Sequence, residues 1–175
     1  MKFIATSIEG LFVIEPELQT DERGFFARTW CGEEFIKQGL NPKLAQCNIS
    51  FNHKIGTLRG LHYQTAPREE AKLVRCTMGG IFDVAVDIRP DSDTYLEWFG
   101  VELTAENRCA MYIPEGFAHG FQTLTDNSEV FYQMAEFYYP ELSKGLRWDD
   151  PKIGIDWPKI THRIISERDL AYPLL

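Results

Sequence analysis

Phe82-Asp83-Val84-Ala85-Val86-Asp87-Ile88-Arg89 is the stretch that decides the fold. Phe82, Val84, Val86 and Ile88 recur at every second position, the period of an extended strand and not of a helix. The alternation predicts a strand with one buried face, stopped by Pro90-Asp91-Ser92-Asp93. Working outward, residues 46–51, 98–103, 108–113 and 122–124 also read as extended. So does the aromatic run 129–139, with Val130, Tyr132, Met134 and Tyr138 on one face. Residues 114–121 read as a turn leading into 122–124, and Asp21-Glu22-Arg23-Gly24 as another turn. Helices are few. Gly32-Glu33-Glu34-Phe35-Ile36-Lys37-Gln38-Gly39 has acids in its first turn and glycine past its end, and a short second helix begins at Ser166. Leu146 to Pro158 reads as an ordered loop pinned by two tryptophans. Many short strands, few helices and abundant glycine turns predict an all-β protein, and among such folds a jelly roll.

At 175 residues the chain predicts a single domain, 1–175, able to bury a core without staples. Its composition, 44% hydrophobic and 25% charged, is that of an ordinary globular protein. No run approaches the ~18 apolar residues that cross a bilayer, and the first residues lack the apolar segment of a signal peptide. Cys31, Cys47, Cys76 and Cys109 are widely spaced, which fits reduced thiols. A cytoplasmic location and no membrane partner are the resulting expectations. A formal charge of −8 argues against a nucleic-acid partner. Arg59, Arg68, Lys72 and Arg75 nevertheless cluster within seventeen positions, a local cationic patch suited to a small anion such as a diphosphate.

That patch surrounds Gly56-Thr57-Leu58-Arg59-Gly60-Leu61-His62-Tyr63-Gln64. If 58–64 is extended, His62 and Gln64 point to one face and Leu61 and Tyr63 to the other. Gly60 suggests a bulge or a close backbone approach. Strict alternation would set Arg59 on the face opposite His62. A second histidine, His119, stands 57 residues on, also beside glycine.

Pro114-x-Gly116-x-x-His119 resembles the second half-motif of the cupin superfamily. The first half-motif normally supplies H-x-H, where this chain has His62-Tyr63-Gln64, so an amide replaces one imidazole. The segments Leu-Arg-Gly-Leu-His-Tyr-Gln (58–64), Ala-Lys-Leu-Val-Arg-Cys (71–76), the 82–89 strand, Ile-Pro-Glu-Gly-Phe-Ala-His-Gly-Phe (113–121) and the 147–158 loop resemble, in order and spacing, the dTDP-4-dehydrorhamnose 3,5-epimerase family. The resemblance implies a cupin-type jelly roll (a double-stranded β-helix) without metal or other cofactor, a homodimer, and a nucleotide-diphosphate 4-keto-6-deoxy sugar as substrate.

A C4 ketone acidifies the hydrogens on C3 and C5. Epimerisation then needs a base on one face of the sugar, a donor on the other, and a cation near the enolate oxygen. By resemblance the base falls at His62, its orienting carboxylate at Asp169, the donor at Tyr132 and the cation at Lys72. Asp169 is equally the third residue of a helix capped by Ser166. Arg23, Phe26, Arg28, Gln46, Asn48, Ser50, Arg59, His119, Tyr138 and Arg168 fall at substrate-binding positions. Two departures stand out. The family commonly reads R-G-F-F-x-E where this chain ends in Arg28, and has glutamate where this chain has Ser143. Arginine only donates, so Arg28 suits acceptor atoms of cytosine or guanine better than thymine N3–H, and the nucleotide is open to CDP or GDP. Two other readings follow from the same residues: a metal-dependent cupin enzyme using His62, Gln64 and His119, and a non-catalytic sugar-nucleotide binding module.

Overall fold

A computed structural model describes residues 1–175. In chain order its elements are β1 (Lys2–Ala5), β2 (Phe12–Glu15), β3 (Gln19–Asp21), β4 (Gly24–Phe26), α1 (Gly32–Lys37), β5 (Gln46–Asn52), β6 (Thr57–Gln64) and β7 (Lys72–Met78). These are followed by β8 (Gly80–Asp87), β9 (Trp98–Thr104), β10 (Ala110–Ile113), β11 (Phe117–Thr123), β12 (Ser128–Met134), β13 (Ser143–Gly145), β14 (Ile164–Ile165) and α2 (Glu167–Leu170). One sheet runs β1-β2-β10-β7-β12-β5 and the other β13-β6-β11-β8-β9, with β14 joining β6 in parallel. The expected jelly roll is what forms. No helix is long and apolar enough to cross a membrane.

The two sheets close over a common core in which Val74, Met111 and Val130 from the first meet Ile81, Ala85 and Phe121 from the second. Burial at about 25 cal/mol per Å2 of apolar surface holds them together. On the outer side of the first sheet, α1 docks through Phe35, whose ring lies edge-on to Phe3 and Tyr112 at 5.5 and 5.7 Å. The outer side of the second sheet is covered by residues from the 146–158 loop. Leu146, Ile153 and Trp157 pack on Leu58, Leu61, Val84, Val86 and Ala118. The two tryptophans pin that loop as expected, with Trp157 Nε1 donating to the Trp148 carbonyl at 2.8 Å.

That cover corrects the reading of β8. Its regular apolar face, Val84 and Val86, lies under the loop, while Asp83 and Ala85 turn toward the space between the sheets and are equally buried. The strand has two buried faces, not one. Two further boundaries differ. β11 begins at Phe117, so His119 sits within a strand paired on both sides rather than in a turn. β12 ends at Met134, so Tyr138 belongs to the loop beyond it and not to a strand face.

Candidate active site

The site grows from an irregularity in β6. Opposite β11, the register steps from His62↔His119 to Arg59↔Phe121, so β6 carries one residue more than its partner. Gly60 absorbs the extra residue at φ +120°, a conformation open to glycine. A Cβ there would lie 2.6 Å from Gly120 Cα and 2.8 Å from the His119 carbonyl oxygen. The bulge resolves the alternation problem. Leu58 and Leu61 share the outer cluster, and Arg59 comes round to the inner face that His62 occupies. Arg59 Nε then donates to Asn52 Oδ1 at 2.8 Å.

His62 is held from behind by a segment more than a hundred residues away. Its Nε2 lies 2.7 Å from Asp169 Oδ1, and Asp169 Oδ2 accepts the Gly60 amide at 3.2 Å. Burial pushes the Asp169 carboxyl up, but the hydrogen bonds and charge of His62 and the Gly60 amide outweigh it, and the carboxyl ionises below its ordinary range. The expected cap forms and the carboxylate meets His62. Ser166 caps α2 by accepting the Asp169 amide at 3.1 Å, which leaves the Asp169 side chain for His62. Tyr172 completes the clasp, its ring edge-on to His62 at 6.1 Å and its oxygen accepting from Arg168 Nε at 3.0 Å.

Facing His62 across a cleft of about 250 Å3 stands Tyr132, from the opposite sheet. Asn48, Lys72, His119, Tyr138, Ser143 and Arg168 line the same space. Burial, together with the Asp83 carboxylate, raises the Tyr132 phenol well above its ordinary range, so it carries its proton at neutral pH. Lys72 is almost fully buried, donating to the His62 carbonyl at 3.2 Å and pairing with Glu70 at 3.1 Å. One ammonium hydrogen remains for a ligand.

Most of the expected residues therefore converge. Arg59 is exposed nearby, Ser50 pairs with Val130 next to Tyr132, and Gln46 lines a continuation of the cleft with Phe137 and Tyr138. Three do not converge. Arg23 pairs with Asp21, Phe26 is 70% exposed on the separate β3–β4 hairpin, and Arg28 donates to Glu34 at 2.8 Å. None of the three lines the cleft within one chain. Gln64 is also spent elsewhere. Its amide donates to the Arg68 and Phe137 carbonyls at 2.8 and 3.1 Å and accepts the Tyr139 amide at 2.6 Å, which anchors the Tyr138 loop. Its oxygen and both N–H groups are thus occupied, and no three His, Cys, Asp or Glu side chains cluster as a metal set. Asp83, Glu70, Asn52 and Tyr172 were not foreseen. Only the two aspartates spaced along an otherwise apolar strand carried a signal, and it pointed to a wet face.

Comparison with known proteins gives the chain its family. Residues 5–175 fit the family model for dTDP-4-dehydrorhamnose 3,5-epimerase. The chain belongs to this epimerase family. A relative of that name from Methanothermobacter thermautotrophicus is 51% identical over 170 residues, covering 96% of this chain and 91% of its own. The Legionella pneumophila epimerase, solved in complex with dTDP-4-keto-L-rhamnose, superposes with a TM-score of 0.93 at 39% identity, covering 99% of this chain and 92% of that one. A 3'-monoepimerase from Streptomyces bikiniensis, solved with dTDP-quinovose, gives 0.90 at 34% identity, covering 98% and 86%. One fold thus serves enzymes named for inverting two carbons and one named for inverting a single carbon.

Proposed function

We propose that this protein epimerises C3 and C5 of dTDP-4-dehydro-6-deoxyglucose, the reaction for which its family is named. The observation that carries the reading is the placement of His62 and Tyr132 on opposite sheets with one cleft between them. A sugar ring in that cleft presents one face to each. His62 takes the proton from the carbon beside the ketone, and the C–H electron pair moves into the enolate. Asp169 holds the ring nitrogen and stabilises the imidazolium that forms. The free N–H of Lys72 meets the enolate oxygen, and Tyr132 returns a proton from the other side, which inverts the centre. Arg59 and Arg168, neither paired with a carboxylate, are suited to the diphosphate.

The nucleotide reading follows from Arg28. Its guanidinium is engaged by Glu34, which removes the reason for an acceptor-rich base, and the relatives named above are dTDP enzymes. Tightest binding among dTDP, CDP and GDP is expected for dTDP; a clear preference for CDP or GDP would sink this part. For the reaction, NMR in D2O should show deuterium entering at both C3 and C5, with exchange lost in His62→Ala. Label at one carbon alone would make the protein a monoepimerase. Exchange persisting in both His62→Ala and Tyr132→Phe would remove the assigned roles.

The protein acts as a homodimer in this proposal. Arg23, Phe26 and Arg28 match substrate-binding positions yet lie outside their own chain's cleft. Ile49 and Phe51 are 63% and 41% exposed along β5, an edge strand, as an intersubunit face requires. No nucleic-acid or membrane partner enters the proposal.

A further inference from the structure

The second histidine of the cleft has its own carboxylate. His119 Nε2 lies 2.7 Å from Asp83 Oδ1, and Asp83 is completely buried at the centre of the second sheet. The other carboxylate oxygen, Oδ2, is buried without a hydrogen-bond partner. An orphaned buried oxygen costs stability and calls for a reason. The neighbour on the far side of His119 supplies one. Its ring meets Tyr132 edge-on, with centroids 6.1 Å apart. The order Asp83, His119, Tyr132 thus runs from β8 through β11 to β12, from the core to the cleft.

We propose that Asp83, acting through His119, is a positioning residue that keeps Tyr132 in its phenol form, ready to donate. A negative charge sealed in a low-dielectric core disfavours a second one nearby. Asp83 therefore opposes tyrosinate until the enolate draws the proton off. Its hydrogen bond also fixes the His119 ring against which the phenol packs. The charged and titratable groups facing Tyr132 are Asp83 from β8, His119 from β11, Arg59 and His62 from β6 and Lys72 from β7. Glu70 and Arg168 stand across the cleft. Burial opposes ionisation of the phenol most strongly, the Asp83 carboxylate adds to it, and the Ser50 hydroxyl and Arg59 pull the other way. Burial raises the carboxyl of Asp83 and His119 and Lys72 offset this only in part, so its charge leans on both partners and loss of either would weaken the hold on Tyr132.

The role of Tyr132 as donor comes from the proposed function, whereas the test reads ionisation directly and needs no turnover. Tyrosinate absorbance on alkaline titration, wild type minus Tyr132→Phe, should contain no Tyr132 contribution at any pH where the fold survives. If Tyr132 ionises alongside the exposed tyrosines in that difference, the proposal fails whatever the variants do. Asp83→Asn keeps the shape and an acceptor for His119 but removes the charge. A titration absent from the Asp83→Asn/Tyr132→Phe double variant should then appear within the pH range where the fold survives and where wild type shows none. In turnover, Asp83→Asn should gain an alkaline fall in kcat while KM near neutrality stays within about twofold. A folded Asp83→Asn protein with an unmoved tyrosinate curve would overturn the assignment.

Discussion

At the scale of single residues, the chemistry rests on which group each charged side chain answers to. Asp169 answers to His62, so Asp169→Asn should lower kcat by roughly 10²–10⁴-fold, the usual contribution of a positioned acid–base group. Its effect on stability has a definite sign. The Asp169 carboxyl is held below its ordinary value of ~4, so the stabilisation it gives is complete above that value and is lost as pH falls through the folded-state value. Chemical denaturation of wild type and Asp169→Asn should show the largest gap above pH ~5 and a closing gap toward pH ~3. A gap that widened on acidification would contradict the His62–Asp169 bond. The sequence made His62, Tyr132, Lys72 and Asp169 visible because five spaced segments resemble one family. It hid Asp83, since an aspartate alternating with valines reads as solvent-facing unless something covers the other side.

Among the elements, β6 shows what pattern reading reaches and where it stops. Alternation placed His62 and Gln64 together, and Gly60 marked the irregularity, but only pairing with β11 shows that the extra residue brings Arg59 to the His62 side. Gly60→Ala should therefore cost more than the ~1–3 kcal/mol of a strained backbone position, because its Cβ would also meet Gly120 and the His119 carbonyl. Thermal melts should show a marked fall in Tm, and an unchanged Tm would argue against the bulge. The same limit explains β8 and β11. A period of two identifies a strand and its faces. It does not say that residues 146–158 return to roof one of those faces, nor that a Pro-Glu-Gly turn hands over to a strand at Phe117. Tyr138 was placed on a strand face for the same reason. The aromatic run continues past Met134, and two bonds to the Gln64 amide, from the Phe137 carbonyl and the Tyr139 N–H, hold the loop out of the sheet.

For the molecule as a whole, the question is the β3–β4 hairpin: Arg23, Phe26 and Arg28 were expected at the cleft and do not line it within one chain. If a second copy supplies the β3–β4 hairpin, Phe26→Ala and His62→Ala should each be inactive, and mixing them under subunit exchange should restore activity. The mixed dimer then holds one intact cleft served by one intact hairpin. No recovery, with exchange shown to occur, would place the hairpin outside the site. Ile49→Asp on β5 should shift the protein toward monomer in light scattering and lower activity in parallel.

The clasp behind His62 has a consequence for how this protein fails. The two-residue β14 and the four-residue α2 are short elements, yet α2 carries Asp169 and leads into Tyr172, whose ring lies edge-on to His62. The strand order of both sheets runs on without them. Segments so lightly held open at a lower free energy than the core. Catalysis should therefore be the first property lost on gentle denaturation: the urea midpoint for activity should fall below the midpoint for tryptophan fluorescence or circular dichroism. Coincident midpoints would mean that the clasp melts only with the sheets. In the expected case, the clasp on His62 acts as a fuse that blows while the jelly roll is still standing.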